Sequence, residues 1–220
     1  MSYPDCLDFV LQREGGWSNN PADTGGCTMH GITLPVYRVF KHNASLTCSD
    51  LAQITDSDVS GVYVKLYWAP IGGDQLPAGI ALSVFDMAVN AGVSASAKLL
   101  QGVLGTNVDG VIGAHTIACL LKLNAMQVID ALTTAQGAYY RTRGNFAIFG
   151  EGWLNRLADR EAAALKLACA VPVPTTQMMV ATLRRQAQQP MISYHPTVMP
   201  WTGSMVRLPS VDSRSGPTML

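Results

Sequence analysis

Charged residues are scarce in this sequence of 220 residues: they make up 14% of the chain, and the formal net charge is zero. This composition disfavours a nucleic-acid-binding protein, which neutralises phosphates with an excess of Lys and Arg. No apolar run has the length of a membrane span, and the first residues lack the basic region and apolar stretch of a secretory signal. We therefore expect neither a transmembrane segment nor a signal peptide.

The sequence also lacks a metal-binding pattern of cysteines. It contains no Cys-x-x-Cys pair and no cysteine at zinc-ligand spacing from a histidine. An odd, dispersed set of cysteines predicts reduced thiols, and we expect no metal or cofactor. The set consists of Cys6, Cys27, Cys48, Cys119 and Cys169.

Helical periodicity dominates the chain, whereas strand-like alternation is rare, so the predicted fold class is mainly α. Residues 16–33 are rich in Gly, Asn, Pro and Thr, which predicts a loop or a small β-hairpin. A capping box at Thr55-x-x-Asp58 predicts the start of a helix that Pro70 ends. Further helices are predicted near residues 78–91, 95–104, 114–123, 125–143 and 151–169.

The composition changes near Val171. The last fifty residues hold seven of the twelve prolines and no lysine, and proline prevents a helix from continuing. We predict a helical domain over residues 1–170 and a Pro-rich tail over residues 171–220.

Glu14 is one of only three glutamates, with Glu151 and Glu161. It continues the apolar stripe of Leu7, Val10 and Leu11 at helical spacing, so it projects from the same helix face. A carboxyl group on an apolar face is costly to ionise and keeps its proton, as a general acid must. Alternatively, the helix ends one turn earlier and leaves Glu14 exposed.

A second carboxylate, Asp23, follows Glu14 across the glycine-rich segment that leads to Thr28. Two carboxyl groups in unlike surroundings are the minimum equipment for cleaving a glycosidic bond with acid assistance. The pair predicts a glycosidase.

These motifs resemble the signature of the glycoside hydrolase family 108 N-acetylmuramidases found among bacteriophage endolysins. The resemblance rests on Glu14-Gly15-Gly16, Asp23-x-Gly25-Gly26-x-Thr28 and Gly31-Ile32-Thr33, and continues through Tyr67-Trp68 and Phe85-Asp86-x-Ala88-Val89-Asn90-x-Gly92. It implies a lysozyme-like helical fold and hydrolysis of the β-1,4 bond between N-acetylmuramic acid and N-acetylglucosamine.

The resemblance also implies roles for particular residues. Glu14 is the proton donor, and Asp23 orients water or stabilises positive charge on the sugar. Thr28 is a hydroxyl partner for that water, although it lies one residue before the position in the Glu-x8-Asp/Cys-x5-Thr pattern of related phage lysozymes; Thr33 or a backbone group is the alternative.

Leu100-Gln101 and Asp109-Gly110-x-x-Gly113-x-x-Thr116 resemble the predicted peptidoglycan-binding region that accompanies this family. We therefore expect catalytic motifs over about residues 1–90 and peptidoglycan-binding helices over about 91–170. The turn at residues 107–113 is interpreted as a tight helix connection rather than a calcium loop, which needs several regularly spaced oxygen ligands.

Six residues are candidates for substrate contact. Aromatic side chains stack on sugars but more often fill cores. An asparagine at a helix end can bond a substrate group or cap the helix. A histidine in a loop can line the cleft, although such a residue is by default exposed. Asp86 is interpreted as a buried structural carboxylate, and Glu161 as a partner of Arg156 or Arg160. The six candidates are Trp17, His30, Tyr67, Trp68, Asn90 and Tyr140.

Two alternative functions remain open, a lytic transglycosylase and a non-catalytic virion or wall-binding protein. We expect peptidoglycan as the partner and a monomer in free form. The expected location is the host cytoplasm before release to the cell wall, or the virion. The arginine-bearing tail is a candidate for docking on a phage particle component or on the anionic envelope.

Overall fold

The structure is a computed structural model, and it describes residues 3–19 and 26–170. Helices dominate, as the sequence predicts, and a single small antiparallel sheet lies within this described part. The predicted tail falls outside these residues. The α-helices are α1 (Tyr3–Leu11), α2 (Leu34–Phe40), α3 (Cys48–Ala52), α4 (Asp56–Tyr63), α5 (Ala78–Ala91), α6 (Val93–Leu104), α7 (Ala114–Leu120), α8 (Ala125–Arg141) and α9 (Phe146–Ala170).

The predicted hairpin is present. Strands β1 (Thr28–Met29) and β2 (Ile32–Thr33) pair antiparallel, with Met29 opposite Ile32. The two residues between them, His30 and Gly31, have φ values of 50° and 70°. Positive φ at both central positions is the requirement of a type I′ turn, which matches the twist of the paired strands.

A disulfide joins Cys27, directly before β1, to Cys48 at the start of α3. The expectation of reduced thiols throughout is therefore wrong for this pair. The two cysteines are 21 residues apart in sequence. The segment between them contains the hairpin and α2. The bond fixes the hairpin to the short helices that follow it.

Helix α5 forms the centre of the core. All residues from Gly79 to Ala88 are buried, because α1, α6, α8 and α9 pack around the helix. Helix α9 runs antiparallel to α5: Arg160 donates to the hydroxyl of Ser83, and Gly79 lies against the backbone carbonyl of Ala164. A side chain larger than hydrogen at Gly79 would meet that carbonyl, so glycine permits the close approach.

Helix α4 begins where the sequence predicts. Thr55 is the N-cap, and its hydroxyl accepts a hydrogen bond from the backbone N–H of Asp58. The Asp58 carboxylate does not complete a capping box but binds Lys41 and Tyr37. The chain continues from α4 as a π-helical segment over Val64–Trp68, which ends just before Pro70.

The connection between α6 and α7 is organised by one buried amide. Nε2 of Gln101 donates to Oδ1 of Asp109 and to the carbonyl of Val111, and its Oε1 accepts from the N–H of Gly110. The same Nε2 also donates to the hydroxyl of Thr116. The motif that the sequence singled out here thus forms a tight helix connection, held by Gln101.

Within the described part, no single helix combines the length and hydropathy of a membrane span; α7 and α8 reach them only as a pair bent by 114°.

Candidate active site

Glu14 lies just beyond the last turn of α1. The helix ends at Leu11, but the backbone N–H of Glu14 still donates to the carbonyl of Val10, at 3.1 Å. Gly15 and Gly16 then turn the chain away, since neither favours continuing a helix. The Glu14 side chain is 21% exposed, so it lies at the surface of the core and remains accessible from solvent.

The Glu14 carboxylate forms an ion pair with a residue of α9. Nη1 of Arg156 donates to Oε1 of Glu14 at 3.1 Å. The same guanidinium donates through Nη2 and Nε to Oδ1 of Asp86 on α5, at 2.8 and 3.0 Å. Arg156 therefore bridges two carboxylates, one accessible and one fully buried.

The environment of Glu14 differs from the apolar one that the helical stripe predicts. The carboxylate reaches past the apolar side chains of α1 to a cation contributed by α9. Sequence periodicity describes only the face of α1 and cannot identify a partner from a distant helix. Asp86, by contrast, is the buried, hydrogen-bonded carboxylate that the sequence predicts.

The hairpin turn covers the other oxygen of Glu14. A Cβ built on Gly31 would lie 3.2 Å from Oε2 of Glu14 and 3.3 Å from the hydroxyl of Tyr63. That hydroxyl donates to the carbonyl of His30 at 2.9 Å, which fixes the turn against α4. Gly31 is thus required twice, for its positive φ and for the space that it leaves beside the carboxylate.

Two tyrosines complete the surroundings of Glu14. Burial raises the pKa of Tyr63, and the negative charge of Glu14 raises it further. Burial and the Glu14 charge likewise raise the pKa of Tyr67. Both phenols therefore stay protonated at neutral pH, and the proton of the Tyr63 hydroxyl is donated to the carbonyl of His30.

Of the remaining predicted catalytic residues, Thr28 and its alternative Thr33 lie on the hairpin. Asp23 is outside the described residues. Thr28 is on β1, where its backbone pairs with Ser18, and no hydrogen bond of its hydroxyl is found in the described ranges. The hydroxyl of Thr33 accepts from the N–H of Val36 as the N-cap of α2, a structural task. The structure therefore shows no hydrogen bond between Thr28 and Glu14, both of which it describes.

The aromatic candidates divide into two groups. Trp17 is 44% exposed, beside the glycines that follow Glu14, and Tyr67 adjoins Glu14 as described above. Trp68 and Tyr140 were predicted to contact substrate but are core residues. Trp68 is buried and donates from Nε1 to Asp74, and Tyr140 is buried and accepts from Gln136.

The last two candidates are Asn90, which bonds to the backbone, and His30, which lines a groove. The Asn90 amide donates to the carbonyl of Asp86 one turn earlier, so it supports the end of α5. His30 lines a surface groove of about 410 Å³ between α1 and α4. The lining consists of Pro4, Leu7, Asp8, Leu11, His30, Asp56, Val59 and Ser60.

Sequence reasoning missed Arg156 and Tyr63 as members of this site. It assigned Arg156 or Arg160 to Glu161, but Arg160 donates instead to Ser83 and to Gln136. No group of three or more His, Cys, Asp or Glu side chains that could hold a metal ion occurs among residues 3–19 and 26–170.

Two comparisons with known proteins gave matches. A sequence model described as glycosyl hydrolase 108 matches residues 7–92. The solved structure of SagA from Brucella abortus is 32% identical in sequence, with a TM-score of 0.67, over 76% of this chain and 95% of the SagA chain. The chain belongs to the glycosyl hydrolase 108 family. A search of curated protein sequences gave no match.

Membership of the glycosyl hydrolase 108 family makes the protein a glycoside hydrolase with a lysozyme-like fold. The residues matched by the family model contain Glu14, the hairpin and Asp86. Arg156 lies outside that match, so the described site draws on a part of the chain that the family model does not cover.

Proposed function

We propose that this glycoside hydrolase cleaves bacterial peptidoglycan at the β-1,4 bond between N-acetylmuramic acid and N-acetylglucosamine. The observation that carries the proposal is the position of Glu14: a partly exposed carboxyl group at the edge of the core, with one oxygen held by Arg156 and the other beside the hairpin turn. A carboxyl group fixed in this way can be aimed at a glycosidic oxygen.

In this proposal Glu14 donates its proton to the oxygen of the leaving sugar as the C–O bond breaks, and positive charge develops on the other sugar ring. Arg156 stabilises the negative charge that remains on Glu14 after the transfer. Asp23 orients the attacking water or stabilises the sugar cation. Trp17, which is exposed and follows Glu14 by three residues, and Tyr67 are the proposed stacking surfaces for the sugar rings.

The test is clearance of purified cell walls by the wild type, by Glu14→Gln and by a matched glutamate variant, Glu151→Gln. Glu151 is an exposed residue of α9. We expect Glu14→Gln to lose at least about 10²-fold in rate, as removal of a general acid does, and Glu151→Gln to keep full activity. Equal rates for the wild type and Glu14→Gln would refute the assignment.

A lytic transglycosylase is the alternative, because it needs only one carboxyl group as acid and base. Asp23→Ala separates the two reactions: it cripples a hydrolase and leaves a transglycosylase largely active. Mass spectrometry of the released muropeptides identifies the bond. A reducing N-acetylmuramic acid end supports the proposal, whereas an anhydro end or a reducing N-acetylglucosamine end contradicts it.

We further propose a role as a phage lysin, carried in the virion or held in the host cytoplasm until release, with the 171–220 tail docking on a particle component or on the envelope. Truncation after Ala170 tests the tail: full activity of the shortened protein on whole cells and in particles would refute docking.

A further inference from the structure

Two arginines of α9 are buried against α5, and they have different partners. Arg160 donates to Ser83 and Gln136, so it ties helices together. Arg156, one turn earlier, donates both to the buried Asp86 and to the accessible Glu14. Only Arg156 connects this interior to the carboxylate at the surface.

The arrangement fixes the guanidinium before any substrate arrives. Asp86 is fully buried, and Oδ1 of its carboxylate takes two hydrogen bonds from Arg156. Because a buried charge without a partner is strongly unfavourable, Asp86 holds the guanidinium in place. The remaining nitrogen, Nη1, then points at Oε1 of Glu14, 3.1 Å away.

We infer that Arg156 is a positioning residue for Glu14 and that Asp86 acts as its anchor, so that α5 and α9 set the orientation and the charge environment of the acid. The inference rests on the proposed function of Glu14. It also means that residues 7–92, which the family model matches, do not by themselves contain the whole site.

The separation of kcat from KM reports this role. Glu14 is faced by Arg156 of α9 with Asp86 of α5 behind it, by Tyr63 of α4 and by Tyr67 of the π-helical segment. Arg156 is the group among these that donates a hydrogen bond to the Glu14 carboxylate. Weakening the Arg156 contact should therefore lower kcat, which depends on the orientation of the acid, and leave KM nearly unchanged.

The experiment compares Arg156→Lys with the matched variant Arg160→Lys in the full chain, using soluble peptidoglycan fragments. A lysine cannot donate in a fork to two carboxylates. For Arg156→Lys we expect a fall in kcat of about 10²-fold, the cost of a misplaced catalytic group, with little change in KM. For Arg160→Lys, which disturbs the same interface, we expect kcat and KM to stay those of the wild type.

Equal losses of kcat in the two lysine variants, or a loss in Arg156→Lys that lies in KM rather than in kcat, would overturn the inference while leaving Glu14 as the acid. Failure of the proposed function shows itself differently, as equal activity of the wild type and Glu14→Gln. If Arg156→Lys does not fold, the double variant Arg156→Gln with Asp86→Asn replaces the buried ion pair by neutral amides. Wild-type kcat in that variant would also overturn the inference.

Discussion

Gly31 and Glu14 are so close that a methyl group added at Gly31 would lie 3.2 Å from Oε2 of the carboxylate. The hairpin turn therefore packs directly against the carboxylate that follows α1. This closeness leads to a prediction about glycine substitutions.

We expect Gly31→Ala to lower both stability and activity. Its φ of 70° strains an alanine, which costs about 1 kcal/mol, and the new methyl displaces Glu14. Gly26→Ala is the matched control, because Gly26 also has a φ of 70° but no described residue has an atom within 4 Å of its Cβ position. Thermal unfolding and wall clearance check the pair: similar activity losses in both variants would contradict a specific contact with Glu14.

Gly79→Ala should weaken the packing of α5 on α9. The new methyl would meet the carbonyl of Ala164, and such overpacking costs about 1–3 kcal/mol. Gly102 on α6 has nothing near its Cβ position, so Gly102→Ala should instead stabilise its helix by about 0.5–1 kcal/mol. Urea unfolding measures both; an unchanged midpoint for Gly79→Ala would show that the two helices can separate at no cost.

Removing the disulfide should destabilise the hairpin side of the molecule. Cys27 and Cys48 close a loop of about twenty residues, for which the expected loss is about 3 kcal/mol. The double variant Cys27→Ala with Cys48→Ala should therefore melt earlier than the wild type and no longer respond to reductant. Cys169→Ala removes an exposed free thiol and should melt with the wild type. A wild type whose melting is insensitive to reductant would argue against the bond.

The α6–α7 connection should be sensitive to acid. Hydrogen bonds from Gln101 and from the backbone of Val111 lower the pKa of Asp109 below its ordinary 3.8. The ionised form is thus favoured in the folded state, and the stability that it contributes is present above the unfolded pKa and lost as pH falls through the folded one. Asp109→Asn should be less stable than the wild type at pH 6, with a gap that narrows below about pH 4. Denaturant titrations across this range check it; a constant gap would contradict the assignment.

Local patterns predicted much of the fold. The helices from α5 to α9 agree with the predicted ones, and the turn-rich segment after Glu14 forms the predicted hairpin. Helices α2 and α3 were not predicted: they have only seven and five residues, and α2 follows the turn-rich hairpin directly, with a proline in its first turn. Their Thr33 and Thr47 caps were the available local signal.

The site could be predicted only in part. Glu14 emerged from its rarity and its place on the α1 stripe, and Asp86 from its position on an apolar helix. The bridge between Glu14 and Asp86 could not be predicted, because Arg156 lies on another helix. Glu161, close to Arg156 in sequence, was the simpler partner to assign. Trp68 and Tyr140 were assigned to the site but lie in the core. The local sequence around an aromatic residue does not show whether its ring is buried or stacks on a sugar.

Arg156 enters the chain 142 residues after Glu14, which has a consequence for biosynthesis. While the polypeptide is still being translated, the acid has already left the ribosome and the arginine that aims it has not yet been made. On the proposed mechanism, a nascent or prematurely terminated chain that lacks α9 would have a Glu14 without its positioning contact. Full activity would arise only after α9 has been synthesised and has packed on α5.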